Sequence, residues 1–455
     1  MKTMLVTLVA EIGSTTTVVN AFQDLDGLEP RFLGQGLAPT SVSDGDVLIG
    51  LNQAVEQLWR NLGCELEIER FYATSSAAGG LKMTVHGLVY DMTVKAAREA
   101  ALGAGAVLRF ATAGVLADAD IAQIGKIKPN IILLAGGVDY GDKTVVLRNS
   151  RLLCDGLLTM GLADTPVIYA GNTAASDEVK EIFTVAGIQI YIVDNVYPAI
   201  DQLNVEPTRK VIQAVFEEHI TKAPGMARIR EQVHGDIIPT PGAVMLAAKC
   251  LYDELGDLLM VDVGGATTDI HSVTEGNEEI SRLLISPEPL AKRTVEGDLG
   301  VFVNAQQIVD IIGRDQLVAR HGESFAELIK PVPQTAAEIA ISRELTAKAV
   351  EVVVKRHAGR LIHFYGATGK TTLAQGKDLT NVKWLIGTGG ALTRLPGGDD
   401  ILASIPCERG NELLPRTGAQ VLLDHDYIFA SLGVLSLAHR SGAVALMLKS
   451  LQVER

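Results

Sequence analysis

The sequence predicts an α/β protein of two related lobes around a cleft, and three observations lead there. An apolar run from Leu258 to Val263, with Asp262 near its end, leads into Gly264, Gly265, Ala266, Thr267 and Thr268 and then a second acid, Asp269. A second copy of this plan stands near the N-terminus: Met4 to Ala10, then Glu11, Ile12, Gly13 and the hydroxyl cluster Ser14, Thr15, Thr16 and Thr17. Elsewhere, apolar strands alternate with helical stretches at the spacing of a parallel sheet. At 455 residues the chain exceeds one ordinary core, so two lobes are the natural division.

The two segments also suggest chemistry. Glycines let the backbone turn tightly and bring N–H groups close to an anion. Asp262 stands where a strand enters the turn, placed to hold a hydrated cation, and the threonines can donate to phosphate oxygens. Taken alone, the Asp262 segment reads equally well as a β-hairpin with a Gly-Gly turn. Two such segments, one opening each half, point instead to lobes facing a shared phosphate group. The pairing resembles the phosphate loops of the actin-like ATPase superfamily, which includes heat-shock chaperone ATPases and sugar kinases. In that superfamily the first acid is usually Asp; here it is Glu11, one methylene longer.

Composition narrows the function. Hydrophobic residues make up 47% and charged residues 21%, as in a soluble, core-rich protein. A net charge of −14 argues against nonspecific nucleic-acid binding. Cys64, Cys154, Cys250 and Cys407 are far apart and form no C-x-x-C, which fits a reducing cytoplasm better than a zinc site or a disulfide framework. Met1 to Ala10 reads as a first strand, not a signal peptide. No apolar stretch approaches the length of a membrane span.

Taken in order, Val18 to Phe22 alternates like a return strand, and Asp24 to Pro30 is a turn. Gly45 to Leu62 has helical spacing, with Leu48, Leu51, Ala54, Val55 and Leu58 on one face. Strands are expected at Arg70 to Thr74, Leu81 to Val89, Asn130 to Ala135, Val167 to Gly171 and Gln189 to Val193. Helices are expected at Thr93 to Ala106 and Ala175 to Ala186. Gly136 and Gly137 read equally as a ligand loop and as a plain tight turn. Pro198 to His219 is a polar helical stretch. Thr240-Pro241-Gly242 opens a helix through Leu255, with proline in its first turn. The lobe boundary is expected at 241/242, with an α/β segment inserted in the first lobe.

After Asp269 the strand continues to Val273, and Arg282 to Ser286 is expected as a third strand. Thr294-Val295-Glu296-Gly297-Asp298-Leu299-Gly300 precedes an expected helix, Val301 to Ile312. The resemblance to the chaperone ATPases implies that this turn, with Glu296 and Gly297, stands near the nucleotide; it reads equally as a helix start capped by Asp298. Gln334 to Ala358 is a long helix. Gly366 to Thr372 invites a P-loop reading, but that pattern needs glycine where Phe364 stands. Val382 to Ile386 is a strand ending in Gly387, Thr388, Gly389 and Gly390; this is a generic strand–helix turn or, as the actin-like resemblance implies, the glycine turn that lies against adenosine, where bare backbone permits close approach. Tyr427 to Leu448 is expected as one final apolar helix.

In this order, the segments Ala10 to Thr17, Leu133 to Gly137, Asp262 to Asp269, Thr294 to Gly300 and Ile386 to Gly390 resemble the glutamate mutase accessory family, GlmL or MutL. The resemblance runs through nearly the whole chain. It implies an actin-like, ribonuclease H-like fold that binds ATP and Mg²⁺. It also implies partnership with the subunits of an adenosylcobalamin-dependent mutase, acting as a reactivating chaperone. By that resemblance Glu11 and Asp262 stand at the metal, and Glu11, Asp262 and Asp269 serve catalysis. Gly13, Ser14, Thr15, Thr16, the Gly264–Thr268 turn, Glu296, Gly297 and the Gly387–Gly390 turn would hold the nucleotide. A small-molecule kinase and a non-hydrolysing scaffold on the same fold are the alternatives. The oligomeric state stays open.

Overall fold

The first apolar run forms β1 (Met4–Ile12), which turns back through β2 (Thr16–Gln23) and β3 (Arg31–Pro39) as an antiparallel meander. β4 (Leu66–Ser75) returns parallel to β1 on its other side. In this computed structural model residues 4–453 are described, except 14, 42–45, 65, 77–80, 105, 221–224, 367–368 and 407–409. The helix Val47–Leu62 covers the meander; Asp46 caps its start, and Leu51, Ala54 and Leu58 are buried, as the periodicity predicts.

The chain then leaves this sheet to build another. β5 (Leu81–Gly87), β6 (Ala106–Ala113), β7 (Ile131–Leu134), β8 (Val167–Tyr169) and β9 (Ile190–Ile192) are all parallel, in the order β6-β5-β7-β8-β9. Helices at Lys95–Gly103, Asp118–Ile127, Thr144–Thr159 and Ser176–Val185 make the crossovers. Gly136 and Gly171 have a packing role here. A Cβ on Gly171 would lie 2.0 Å from the Gly136 nitrogen, so two strand-end loops meet backbone to backbone.

β10 (Ile238–Pro239) rejoins the first sheet beside β4. β11 (Leu258–Val263), β12 (Thr268–Val273) and β13 (Ala291–Glu296) then form a second antiparallel meander. The hairpin β14 (Arg360–Gly366) and β15 (Gly369–Gln375) intervenes before β16 (Trp384–Thr388) and β17 (Gln420–Leu423), which run parallel to β11. The first sheet reads β10-β4-β1-β2-β3 and the second β13-β12-β11-β16-β17. Strand order and direction match in the two: a meander of three, with two parallel strands added beside the first. This is the duplicated, actin-like arrangement that the paired loops predict.

The layer joining the sheets is helical. Thr240–Leu255, Phe429–Leu435 and Arg440–Ser450 share an apolar cluster with Val9 and Phe22 of the first sheet and Leu258, Met260 and Ile386 of the second. Small residues permit the approach: a Cβ on Gly433 would stand 1.9 Å from the Ala243 carbonyl oxygen. Helix propensity alone would make Gly433→Ala stabilising by about 1 kcal/mol. We expect instead a loss of about 1–3 kcal/mol from overpacking, measurable by urea unfolding.

Several elements depart from the sequence reading, among them the helical stretch expected from Pro198, which begins at Glu206. Arg282 to Ser286 is not a strand; Glu278–Ser281 is a short helical turn and the third strand is β13, so the Glu296 turn ends a strand and the next helix, Ala305–Ile312, starts later than expected. The apolar run from Arg282 was too short to place a strand against, whereas β13 follows a Pro-rich loop and buries Ala291, Lys292 and Arg293 in succession, a pattern that charged residues hide. The final helix is two helices, broken between Leu435 and Arg440. The P-loop-like stretch falls on β14 and β15, where Tyr365 pairs with Lys370 and no helix follows.

Candidate functional site

The two glycine turns have the same hydrogen bond. Gly13 N–H donates to the Thr16 carbonyl at 3.0 Å, and Gly264 N–H donates to the Thr267 carbonyl at 2.9 Å. A Cβ on Gly13 would sit 2.6 Å from that Thr16 oxygen, so glycine is required by space. The acids correspond too. Glu11 lies opposite Val18 and Thr74 in its sheet, and Asp262 lies opposite Asp269 and Thr388 in its own. The second acid therefore belongs to the second lobe alone.

The turns face each other. A Cβ on Gly265 would lie 3.6 Å from Thr15 Oγ1, which brings the two loops together from opposite sheets. Ser14 lies outside the described residues. The second loop is braced from behind. Val301 N–H donates to the Gly264 carbonyl at 3.2 Å, and Phe302 and Val303 donate to that of Gly265 at 2.9 and 2.7 Å. Asn304 Nδ2 donates to Ala266 and Gly297 carbonyls, both at 2.7 Å. Thr268 is turned inward, its hydroxyl donating to the Leu299 carbonyl at 2.6 Å, while Thr267 Oγ1 reaches Asp269 at 3.4 Å.

Carboxylates gather behind the turns. Glu11 Oε1 accepts from Ser431 Oγ at 2.6 Å, Ser431 N–H at 3.0 Å and Asn20 Nδ2 at 3.2 Å. Asp269 pairs with the fully buried Arg293 at 2.9 Å. Asp424, which the sequence reading missed, accepts from Thr388 Oγ1, Ser450 Oγ and the N–H groups of Ile428 and Phe429. Its signal is readable afterwards: Gln420-Val-Leu-Leu-Asp424 is another short apolar strand that ends on an acid. Tyr427, also missed, has a φ of +54°, rare for a bulky residue, and burial and then the charges of Glu11, Asp262 and Asp424 push its hydroxyl well above the usual range.

The third turn sits against Asp262. Gly389 has a φ of +86°, and a Cβ there would be 2.4 Å from Asp262 Oδ1, so this turn must be glycine. Gly390 faces open space, with nothing within 4 Å of a Cβ. Gly387 packs into Leu392, Leu402 and Leu423. Arg394, just beyond, stacks 5.8 Å over Tyr427 and hydrogen-bonds Gln35 of β3, so it crosses from one lobe to the other. Glu296 is held by Arg356 at 2.6 Å, and a Cβ on Gly297 would come 3.6 Å from Arg109 of β6.

Among the described residues no group of three or more His, Cys, Asp and Glu side chains is arranged to hold a metal ion. Glu11 and Asp262 fit the other pattern, in which Mg²⁺ keeps its waters and leans on one or two carboxylates and on phosphate. Two cavities lie elsewhere. One of about 820 Å³ is in the second lobe beside Glu344 and Lys348, and one of about 680 Å³ lies beside the Thr240–Leu255 helix. Neither is lined by a residue of the three turns.

Burial raises Glu11 to about 7, with repulsion from Asp424 adding to it. Burial, then repulsion from Asp269 and Glu11, raises Asp262 to about 7. Burial raises Asp424 to about 6. In the unfolded chain these acids ionise near 4. Between there and pH ~7 the native state holds more protons than the unfolded one, so their contribution makes stability fall as pH rises. The ligand-free protein should lose on the order of a few kcal/mol from these groups between pH ~5 and ~8. Thermal melts across that range would show it, and Asp262→Asn should flatten part of the slope.

Two matched sheets, two facing glycine turns and acids behind them define a protein of the actin-like ATPase fold. The chain belongs to the MutL protein family, whose model matches residues 7–451. It is 36% identical over 465 aligned residues to Protein MutL of Clostridium tetanomorphum, covering 98% of each chain. Among solved structures it is similar to a nucleotide-free acetone carboxylase, at 12% identity and a TM-score of 0.43 over 94% of this chain and 69% of the other. It is also similar to a nucleotide-free diol dehydratase-reactivating factor, at 11% identity and a TM-score of 0.30 over 95% and 100%. No helix among the described residues is long and apolar enough to cross a membrane.

Proposed function

We propose that this chain is an ATP-hydrolysing accessory protein that reactivates an adenosylcobalamin-dependent mutase, glutamate mutase being the first candidate. The observation that carries the nucleotide half of this reading is the meeting of the Thr15 and Gly265 turns in front of Glu11 and Asp262. We place the lobe division at 241/242 and the protein in the cytoplasm. Membership of the MutL family supports the partner half of the reading.

In this reading the Gly13–Thr16 and Gly264–Thr267 turns clamp the β- and γ-phosphates, and Gly390 offers its open backbone to adenosine. Asp262, with Glu11 opposite, would hold Mg²⁺ through its waters; the ion would supply charge neutralisation on the phosphate oxygens. Asp269 is already neutralised by Arg293. Glu11, raised to about 7, is therefore the group suited to orienting the attacking water. Such catalysis is mostly positioning and electrostatic stabilisation.

The test is phosphate release from MgATP with and without candidate acceptor alcohols, followed by addition of inactivated glutamate mutase. Acceptor-independent release together with recovered mutase activity supports the proposal. Release only with an acceptor makes the protein a kinase, and no nucleotide binding makes it a scaffold.

A further inference from the structure

The inserted sheet supplies none of the three glycine turns, yet it is a complete doubly wound unit. Its order β6-β5-β7-β8-β9 is 2-1-3-4-5 in the unit's own chain order, with the reversal between β5 and β7. Sheets of this kind bind at the carboxyl ends of their strands, at that reversal. There the surface is unusually apolar. Val89 and Tyr90 follow β5, Val115 follows β6 and Tyr140 follows β7, exposed by 48%, 53%, 49% and 84%.

These loops form one edge. Gly114 N–H donates to the Gly87 carbonyl at 2.9 Å, and a Cβ on Gly137 would lie 3.6 Å from Leu88. Tyr140 has a φ of +62°, and its N–H donates to Asn172 Oδ1 at 2.9 Å. A strained, bulky residue is thus fixed with its ring in water. Contiguous exposed apolar surface marks interaction sites, and tyrosine is a frequent anchor of protein interfaces. The rim carries more acid than base: Asp91, Asp118 and Asp142 are exposed beside these loops and Asp194 after β9, Lys143 is taken up by Glu178, and Arg98 is drawn onto Tyr90, its Nη1 donating to the Tyr90 hydroxyl at 2.8 Å.

We propose that this edge is the docking surface for the mutase, and that it receives a protein surface apolar at its centre and ringed by lysine and arginine. The inference rests on the reactivase reading for the partner's identity; the edge, its apolar crest and its charge stand independently. The edge is also coupled to the nucleotide half. The Lys95–Gly103 helix, which begins behind Tyr90, accepts Arg293 Nη1 at the Leu102 carbonyl, and Arg293 holds Asp269. Docking and nucleotide state therefore share a rigid connection.

The experiment titrates the full-length protein with purified glutamate mutase subunits by calorimetry, with and without MgATP. Tyr140→Gly relieves the positive φ while it removes the ring, so the fold is kept. We expect its Kd to rise about tenfold or more, with ATP turnover unchanged. Asp91→Lys/Asp142→Lys should weaken binding further, and wild-type binding should weaken from ~50 to ~300 mM salt. Wild-type-like affinity in both variants overturns the surface. Self-association that Tyr140→Gly abolishes makes the edge an interface between copies and also overturns it. A wild-type protein that turns over ATP but binds no mutase rejects the docking partner while the ATPase stands; one that binds the mutase through this edge without ATP turnover rejects the ATPase and keeps the surface.

Discussion

Asp262→Ala will lower Mg-dependent ATP turnover by about 10²–10³-fold, the cost of losing one preorganised electrostatic group at a reacting phosphate. Asp262 stands where three pieces converge. It ends the central strand of the second sheet, lies opposite Asp269 and Thr388, and is tucked against the Gly389 backbone. Its carboxylate is held near neutrality by burial and by Asp269 and Glu11, so a cation is what would fully ionise it. Nucleotide affinity without Mg²⁺ should change only slightly. Asp262→Asn, which keeps the shape, should fall as far as alanine. Steady-state phosphate release against Mg²⁺ concentration checks both, and unchanged turnover would remove Asp262 from the mechanism.

Arg293→Met will destabilise the protein by about 3–5 kcal/mol. The guanidinium is fully buried, pairs with Asp269 at 2.9 Å and donates to the Leu102 carbonyl at 3.0 Å. Removing it leaves a carboxylate in the interior with its charge uncompensated and a carbonyl with one bond fewer. Adding Asp269→Asn to Arg293→Met should recover part of the loss, because the stranded charge goes. Urea unfolding of the two variants decides it; a single variant as stable as the parent would mean that Asp269 finds water or a proton at no cost.

The duplicated fold was legible because both phosphate-loop segments repeat the same grammar of apolar strand, acid, glycine and hydroxyl. Glu11, Gly13, Asp262 and Gly264 occupy corresponding places in the two sheets, as that grammar implies. The inserted sheet was only partly legible: β6 is an edge strand of half-buried residues without clean alternation, whereas β7 is an unbroken apolar run. Asp424 and Tyr427 were missed because the one local mark, a four-residue apolar strand before Asp424, does not show what the acid meets. Their neighbours Glu11 and Ser431 are separated by 420 positions, and only folding brings the end of the chain back to its start. Arg293 was hidden by convention, since a charged residue in a strand is ordinarily assigned to the surface.

The central claim is that both glycine turns close on one nucleotide, and its most direct measurement is a crystal structure with Mg²⁺ and a non-hydrolysable ATP analogue. The account predicts phosphates between Thr15–Thr16 and Gly264–Thr267, the metal beside Asp262, and the adenosine against Gly390. An analogue seated instead in the cavity beside Glu344 and Lys348, with the turns empty, would contradict it.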